Sequence, residues 1–374
     1  MSVWDSLVGQ PNAVATLTRA VEGEPHAMTH AWLFTGPPGS GRSVAARDFA
    51  AALQCAEGGC GVCRSCQMTL AGTHPDVAVV RTEQLSIGVK EVRELVRSSA
   101  MSPALGRWQI LIVEDADRVT ERGADALLKA IEEPAEKTVW MLCAPTADDL
   151  VPTVRSRCRE VNLATPSVES VTTLLEGEGV AEKTARFAAR VSQGHIGRAR
   201  AMATDPDIAA RRNHVLSIPT KLGSLGGCLE SAAWAVTTAE AEAKQATQRL
   251  DAQEKEKLLI VLGSTSGRTP RGAAGMMKDL EEQQGLRAKR LVRDSLDSVL
   301  LELTSYYRDV LVMQTGADAD LVNEDCVAQI RKAAAQSTPE ETLKKIDAIQ
   351  ECHQAIMTNV APQLAFEAMM VSLA

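Results

Sequence analysis

Large rings are scarce in this chain: two Tyr, four Phe and five Trp make up 3% of its 374 residues. A core with so few rings has to be built mainly from Ala, Leu, Val and Ile, a composition that favours helix. Also missing is any run of about 18 apolar residues, which excludes an ordinary membrane-spanning helix. The opening MSVWDSLVGQ has neither the basic nor the apolar region of a signal peptide. The expected setting is therefore cytoplasmic, with no membrane partner. An excess of positive charge is lacking as well. The formal net charge of −8 argues against tight nucleic-acid binding by the chain alone, while leaving room for a local basic patch inside a larger assembly. In a reducing compartment nine cysteines are not a disulfide framework, and their placement matters more than their number.

The length suffices for two or three domains with real cores. Over the first 160 residues short apolar runs alternate with helical patterns, and strands are predicted at 31–35, 77–80, 108–113, 138–143 and 160–163. Between the third and fourth, TERGADALLKAIEEP predicts a helix capped by Thr120, with Ala124, Leu127, Leu128 and Ile131 on one face and Pro134 at its end. Strands alternating with helices imply an α/β domain, a parallel sheet covered on both faces. After residue 163 the strand signals stop. The expected organisation is an α/β domain over 1–163, a small helical domain over 164–207 and an all-α domain over 208–374. In the last, Val292, Leu296, Val299, Leu300, Leu303, Tyr307, Val310 and Leu311 keep helical spacing. AEAEAKQATQRLDAQEKEK reads as a polar, solvated helix, and GSTSGRTPRGAAG (263–275) as a mobile loop. A stripe of Leu343, Ile346, Ile349, His353 and Ile356 reads as core, with His353 a buried, hydrogen-bonded histidine.

GPPGSGRS, Gly36 to Ser43, follows an apolar strand and precedes a helix with Ala45, Phe49, Ala52 and Leu53 on one side. That is the context of a phosphate-binding loop, in which glycines such as Gly36, Gly39 and Gly41 let backbone N–H groups turn toward phosphate oxygens. Ser43 would place its hydroxyl on Mg²⁺. The position that should be lysine holds Arg42, a wider planar fork that is not an equivalent of a compact ammonium. WQILIVEDADRV supplies the acids expected at the end of a neighbouring strand: Glu114, Asp115 and Asp117. One acid should position Mg²⁺ and its neighbour orient the attacking water, but here the usual Asp-Glu order is reversed.

Cys55-AEGG-Cys60-GV-Cys63-RS-Cys66 places four cysteines within twelve residues. This spacing suits a tetrahedral tetrathiolate zinc site within 55–66. Redox chemistry of a C-x-x-C pair and an iron–sulfur cluster are the competing readings. A closed four-cysteine site has no open position for substrate, so its role is structural. Cys143, Cys158, Cys228, Cys326 and Cys352 are scattered and read as small buried hydrophobes.

In order, Gly9-Gln10, the phosphate loop, the four-cysteine knuckle, THPD (73–76), ADALLKAIEEP (124–134) and TVRSRC (153–158) together resemble the AAA+ clamp-loader subunits of bacterial DNA polymerase III. The resemblance is to the delta prime type, with the tau/gamma motor subunit as nearest rival. It covers the first 200 residues by motif and the helical remainder only in character. It implies an AAA+ domain, a small helical lid and a C-terminal collar. It further implies an assembly with tau/gamma motor subunits and a delta subunit that loads the sliding clamp on primed DNA. Arg157, in Ser156-Arg157-Cys158, matches the family's arginine finger, offered in trans to ATP on a neighbouring motor, where a guanidinium stabilises transition-state charge. Without the motif, Arg157 would read as a surface arginine paired with a nearby acid. Motor subunits carry a Thr sensor after the fourth strand, where Ala144 stands here with Thr146 nearby. They also carry a lid arginine where Gly194-His195-Ile196-Gly197 places glycine, with Arg198 one residue late. Each missing phosphate contact removes about 2–3 kcal/mol of transition-state stabilisation.

Arg42, Ala144 and Gly197 fall on three parts of one nucleotide site, so the expected role is a subunit that does not hydrolyse ATP/Mg²⁺. Any polymerase (nucleotidyltransferase) activity would belong to the holoenzyme. Two other readings stand beside it. One is an active AAA+ ATPase in which Arg42 replaces the lysine. The other is a zinc-dependent nucleic-acid binder, supported only by short basic groups such as Arg268 and Arg271.

Overall fold

The computed structural model describes residues 2–81, 86–261, 274–358 and 360–374. Contacts divide the chain into two units, Met1–Thr204 and Asp205–Ala374. In the first, elements follow as α1 (Pro11–Val21), β1 (Ala31–Thr35), α2 (Arg42–Gln54), α3 (Arg64–Leu70), β2 (Val77–Val80), α4 (Val89–Ser99), β3 (Gln109–Val113), α5 (Glu121–Glu132), β4 (Thr138–Ala144), α6 (Pro152–Arg155), β5 (Arg159–Asn162), α7 (Val168–Gly177), α8 (Glu182–Val191) and α9 (Ile196–Thr204). The five strands form one parallel sheet in the order β2-β3-β4-β1-β5.

Parallel strands joined by crossover helices are buried on both faces, which is why β1, β3 and β4 read as unbroken apolar runs. The period-two pleat divides them between two cores. Trp32, Phe34, Ile110, Ile112, Val139, Met141 and Cys143 pack on one face with Phe49 of α2. Leu33, Leu111, Val113, Trp140 and Leu142 pack on the other with Leu127 and Ile131 of α5. Thr120 caps α5 as expected, accepting from the Gly123 N–H. Three strands shift at their ends by one residue: β3 starts at Gln109, β4 runs on to Ala144, and β5 occupies Arg159–Asn162. Helices α7 to α9 carry a small core of their own, with Val171, Leu175, Ala188 and Ala199 fully buried.

The second unit comprises α10 (Pro206–Ser217), α11 (Leu225–Val261), α12 (Ala274–Thr315), α13 (Val327–Gln336), α14 (Pro339–Met357) and α15 (Pro362–Leu373). Leu296, Val299, Leu300, Leu303, Tyr307 and Val310 of α12 lie in its core, with Val292 packed beside them. Four expectations need correction. The polar stretch of α11 is solvated over most of its residues but not all round: Ala239, Ala243 and Thr247 are buried, and Arg287 of α12 pairs with Asp251 and Glu254. Small residues on one face let α12 approach, which charge counting along the sequence conceals. His353 is exposed, 3.6 Å from Asp297, and Leu343 is exposed too. The buried face of α14 is Thr342, Ile349, Cys352 and Ile356, one step around the helix. Cys158 and Cys326 are only partly buried, unlike Cys143, Cys228 and Cys352. Of the glycine- and arginine-rich stretch, residues 263–273, including Arg268 and Arg271, lie outside the described residues.

Candidate nucleotide loop and metal centre

The loop between β1 and α2 is shaped by glycines with positive φ: Gly36 at 146°, Gly39 at 85° and Gly41 at 95°. Gly41 is the N-cap of α2, so Arg42 and Ser43 form its first turn. The Gly36 N–H donates to the Pro145 carbonyl at 3.0 Å, tying the loop to the end of β4. That end carries Ala144, fully buried and paired in register with Thr35. Thr146 is engaged in a capping box, its hydroxyl and N–H both donating to Asp149, at 2.9 and 2.7 Å.

Arg42 turns back on its own loop and donates from Nη1 to the Gly36 carbonyl at 2.7 Å. Glu114, next after β3 and 8% exposed, is held by Arg47 of α2 at 2.5 Å, with Arg81 at 3.9 Å. Glu114 is itself buried, while its partner Arg47 is about two-fifths exposed. Asp115 is partly buried and Asp117 exposed beside it. On the other side of the loop stands His195. A methyl group on Gly39 would lie 2.2 Å from its Cγ and 2.5 Å from its Cδ2, so the imidazole is seated against the glycine Cα. Gly197 and Arg198 follow it in α9. The hydroxyl of Ser40 is buried in the loop without a hydrogen-bond partner. The loop and the 194–198 turn are thus brought together, with Arg42 bonded to its own loop and Glu114 bonded to Arg47.

Gly9-Gln10 and THPD, quoted above only as motifs, acquire physical roles. The buried Gln10 side chain donates to the Ala164 carbonyl at 2.7 Å and accepts from the Ala164 N–H at 3.0 Å. It fastens the start of α1 to the segment after β5. Asp76 accepts backbone N–H groups of Ala104, Leu105 and Gly106 at 2.6, 2.8 and 2.6 Å. Burial works to raise its carboxyl, but these three donors hold it below the usual carboxylate range.

Arg157 lies just after α6, about two-fifths exposed, in a salt bridge with Glu132 at the end of α5. It also donates to the Thr153 carbonyl at 2.8 Å and the Ser156 hydroxyl at 3.1 Å. The local pairing read as the alternative for this residue is therefore present.

At the far end of α2, Cys55 is its C-cap. The Sγ atoms of Cys55, Cys60, Cys63 and Cys66 all lie within 4.8 Å of one another. Cys55–Cys60 and Cys55–Cys63 are separated by 3.7 and 3.8 Å. Four sulfurs at about 2.3 Å from one ion form a tetrahedron with edges near ~3.8 Å, so the donor set fits zinc, and all four cysteines are free. Backbone N–H groups point at the sulfurs: Glu57 and Cys60 to Cys55, Cys63 to Cys60, and Cys66 to Cys63, at 3.3–3.5 Å. Burial raises the Cys55 thiol, yet the N–H groups of Cys60, Gly59 and Glu57 outweigh it and bring it well below the ordinary thiol range, toward the thiolate a metal requires. Among the described residues this is the one group of three or more His, Cys, Asp or Glu placed to hold a metal ion.

Three things escaped sequence reasoning: the Arg47–Glu114 pair, the contact of His195 with Gly39, and the anchoring role of Gln10. Only GHIG, an aromatic between two glycines, carried a local signal.

Residues 9–167 match the family model described as DNA polymerase III, delta subunit, and residues 288–374 the one described as DNA polymerase III, delta subunit, C terminal. DNA polymerase III subunit delta′ of Escherichia coli (strain K12) is 30% identical over 309 residues, 80% of this chain and 88% of that protein. The delta′ subunit of Pseudomonas aeruginosa is 40% identical over 135 residues, 34% of this chain and 41% of that protein. A gamma/tau subunit of Mycobacterium tuberculosis is 36% identical over 156 residues, 40% of this chain and 27% of that protein. The match thus spans less than half the length of the latter two relatives.

Proposed function

Because the chain belongs to the DNA polymerase III subunit delta′ family, we propose that it serves DNA replication as a clamp-loader subunit that hydrolyses no ATP of its own. The observation that carries this reading is the engagement of the nucleotide site from within. Arg42 is bonded to the Gly36 carbonyl, and the buried Glu114 is paired with the half-exposed Arg47.

The subunit's contribution to ATP chemistry is then Arg157, presented in trans to a tau/gamma motor subunit. Its bridge to Glu132 is roughly two-fifths exposed on both sides, and such half-solvated pairs are worth only about 0–1 kcal/mol. Releasing the guanidinium toward an incoming phosphate therefore costs little, and Glu132 holds it in a defined place beforehand. Residues 1–163 act as the AAA+ domain, 164–207 as the lid and 208–374 as the collar that joins motor and delta subunits. The assembly, not the isolated chain, engages the sliding clamp and primed DNA in the cytoplasm. A zinc ion held by Cys55, Cys60, Cys63 and Cys66 cross-links the turn after α2 and has no part in the chemistry.

Arg157→Ala in the reconstituted loader should lower clamp-stimulated ATP turnover about 10³-fold, while leaving the melting temperature of this subunit unchanged. Turnover of ATP by the isolated chain at the rate of a motor subunit would sink the reading.

A further inference from the structure

We infer that His195 is the group that closes the phosphate loop to nucleotides, by filling the space on Gly39 that a bound phosphate chain needs. The inference rests on the reading that this site is catalytically silent and names the side chain that silences it. The imidazole is in contact with the Cα of Gly39, so close that any Cβ there would overlap it. It is fixed from behind. His195 is the N-cap of α9: its carbonyl accepts the Ala199 N–H at 2.9 Å, and its Nδ1 accepts the Arg198 N–H at 3.2 Å. Gly194, at φ 84°, packs where a Cβ would meet Thr165 at 2.3 Å, so the turn lies directly against the segment after β5. The ring therefore has one orientation, with Nδ1 committed to the helix and its carbon edge on the loop. Burial, then the Arg198 charge, keep the imidazole below its usual pKa, so at neutral pH it brings the loop bulk without a positive charge. What lies beneath retains features of a phosphate cradle: three glycines at positive φ, the start of a thirteen-residue helix, and the buried, unpartnered Ser40 hydroxyl.

The deciding variant is His195→Ser in the full chain, since serine keeps the N-cap of α9 while removing the ring. His195→Leu keeps the bulk and removes the imidazole. Each is titrated with ADP, with and without Mg²⁺, and with inorganic pyrophosphate as competitor. The expected result is that His195→Ser binds ADP at least about tenfold more tightly than the unaltered chain, displaceable by pyrophosphate, whereas His195→Leu stays as weak as the unaltered chain. No gain in the serine variant, an equal gain in the leucine variant, or unaltered chain binding as tightly as the serine variant would each overturn the inference. If serine prevents folding, His195→Asn, which also caps, makes the same comparison. ATP turnover by the unaltered chain would sink the silent-site reading, whereas a failure of the variants to bind ADP sinks only the role of His195.

Discussion

The two ends of α2 handle their polar groups in opposite ways. At its first turn Arg42 is turned onto the Gly36 carbonyl and His195 is seated on Gly39, so protein groups take up the space and bonds of a ligand. At its last turn Cys55 begins a set of four sulfurs at tetrahedral spacing, with backbone N–H groups behind them. Both ends have the local geometry of a binding site. The difference teaches that loop shape alone does not make one: what decides is whether the chain's own side chains complete the site or leave it to an outside ion.

The largest expected effect lies at the cysteine end. Removing the ion with a chelator, or changing Cys63→Ser, should abolish a one-to-one zinc content measured by elemental mass spectrometry. It should also lower stability by several kcal/mol, because metal binding free energy is folding free energy; an unchanged melting curve would make the two ends of α2 alike after all. Midway along the helix, burial pushes the Asp48 carboxyl up to about 7, against the opposing pull of the Ser6 hydroxyl and the Arg47 charge. An acid whose folded pKa is raised favours the fold at low pH. Its contribution is therefore full below about 4 and is lost as pH rises through 7, by at most about 4 kcal/mol. Urea denaturation at pH 5 and pH 8 should show about 2–3 kcal/mol of this, and Asp48→Asn should flatten it. Asp76 is the contrasting buried carboxylate, fully supplied with donors. Asp76→Ala leaves three backbone N–H groups unpaired and should cost about 3 kcal/mol, read as a shifted denaturation midpoint with unchanged slope. The smallest effect is expected at the loop: Arg42→Lys should cost only about 1 kcal/mol and restore no ATP turnover, since His195 and the Glu114–Arg47 pair remain. A lysine variant that hydrolyses ATP would locate the silence in Arg42 alone.

Much of this was legible in order along the chain. The five strands, the Thr120 cap, the face of α5 and the cysteine knuckle all announce themselves through short-range periodicity or spacing. The Arg42 departure was equally plain, yet its consequence, a bond to the Gly36 carbonyl, was not. The Arg47–Glu114 pair joins positions 67 residues apart; the strand end marked Glu114 as an acid for Mg²⁺, but nothing in the pattern marked Arg47 as its partner. The one buried face of the polar stretch in α11 was not legible, because alanines among charges look solvated until a second helix lies on them. His353 was misread by a single step around α14, a rotation of about 100° that decides core or solvent.

The sequence by itself determined the parallel α/β domain, the helical remainder and the tetrathiolate donor set, because each depends on backbone periodicity or on ligands within twelve residues of one another. Only the tertiary structure decided the state of the phosphate loop. There Glu114 meets Arg47, and His195 meets the bare Cα of Gly39. Contacts between side chains so far apart in the chain are set by how the sheet and the helices after it close on one another, and no local pattern encodes them.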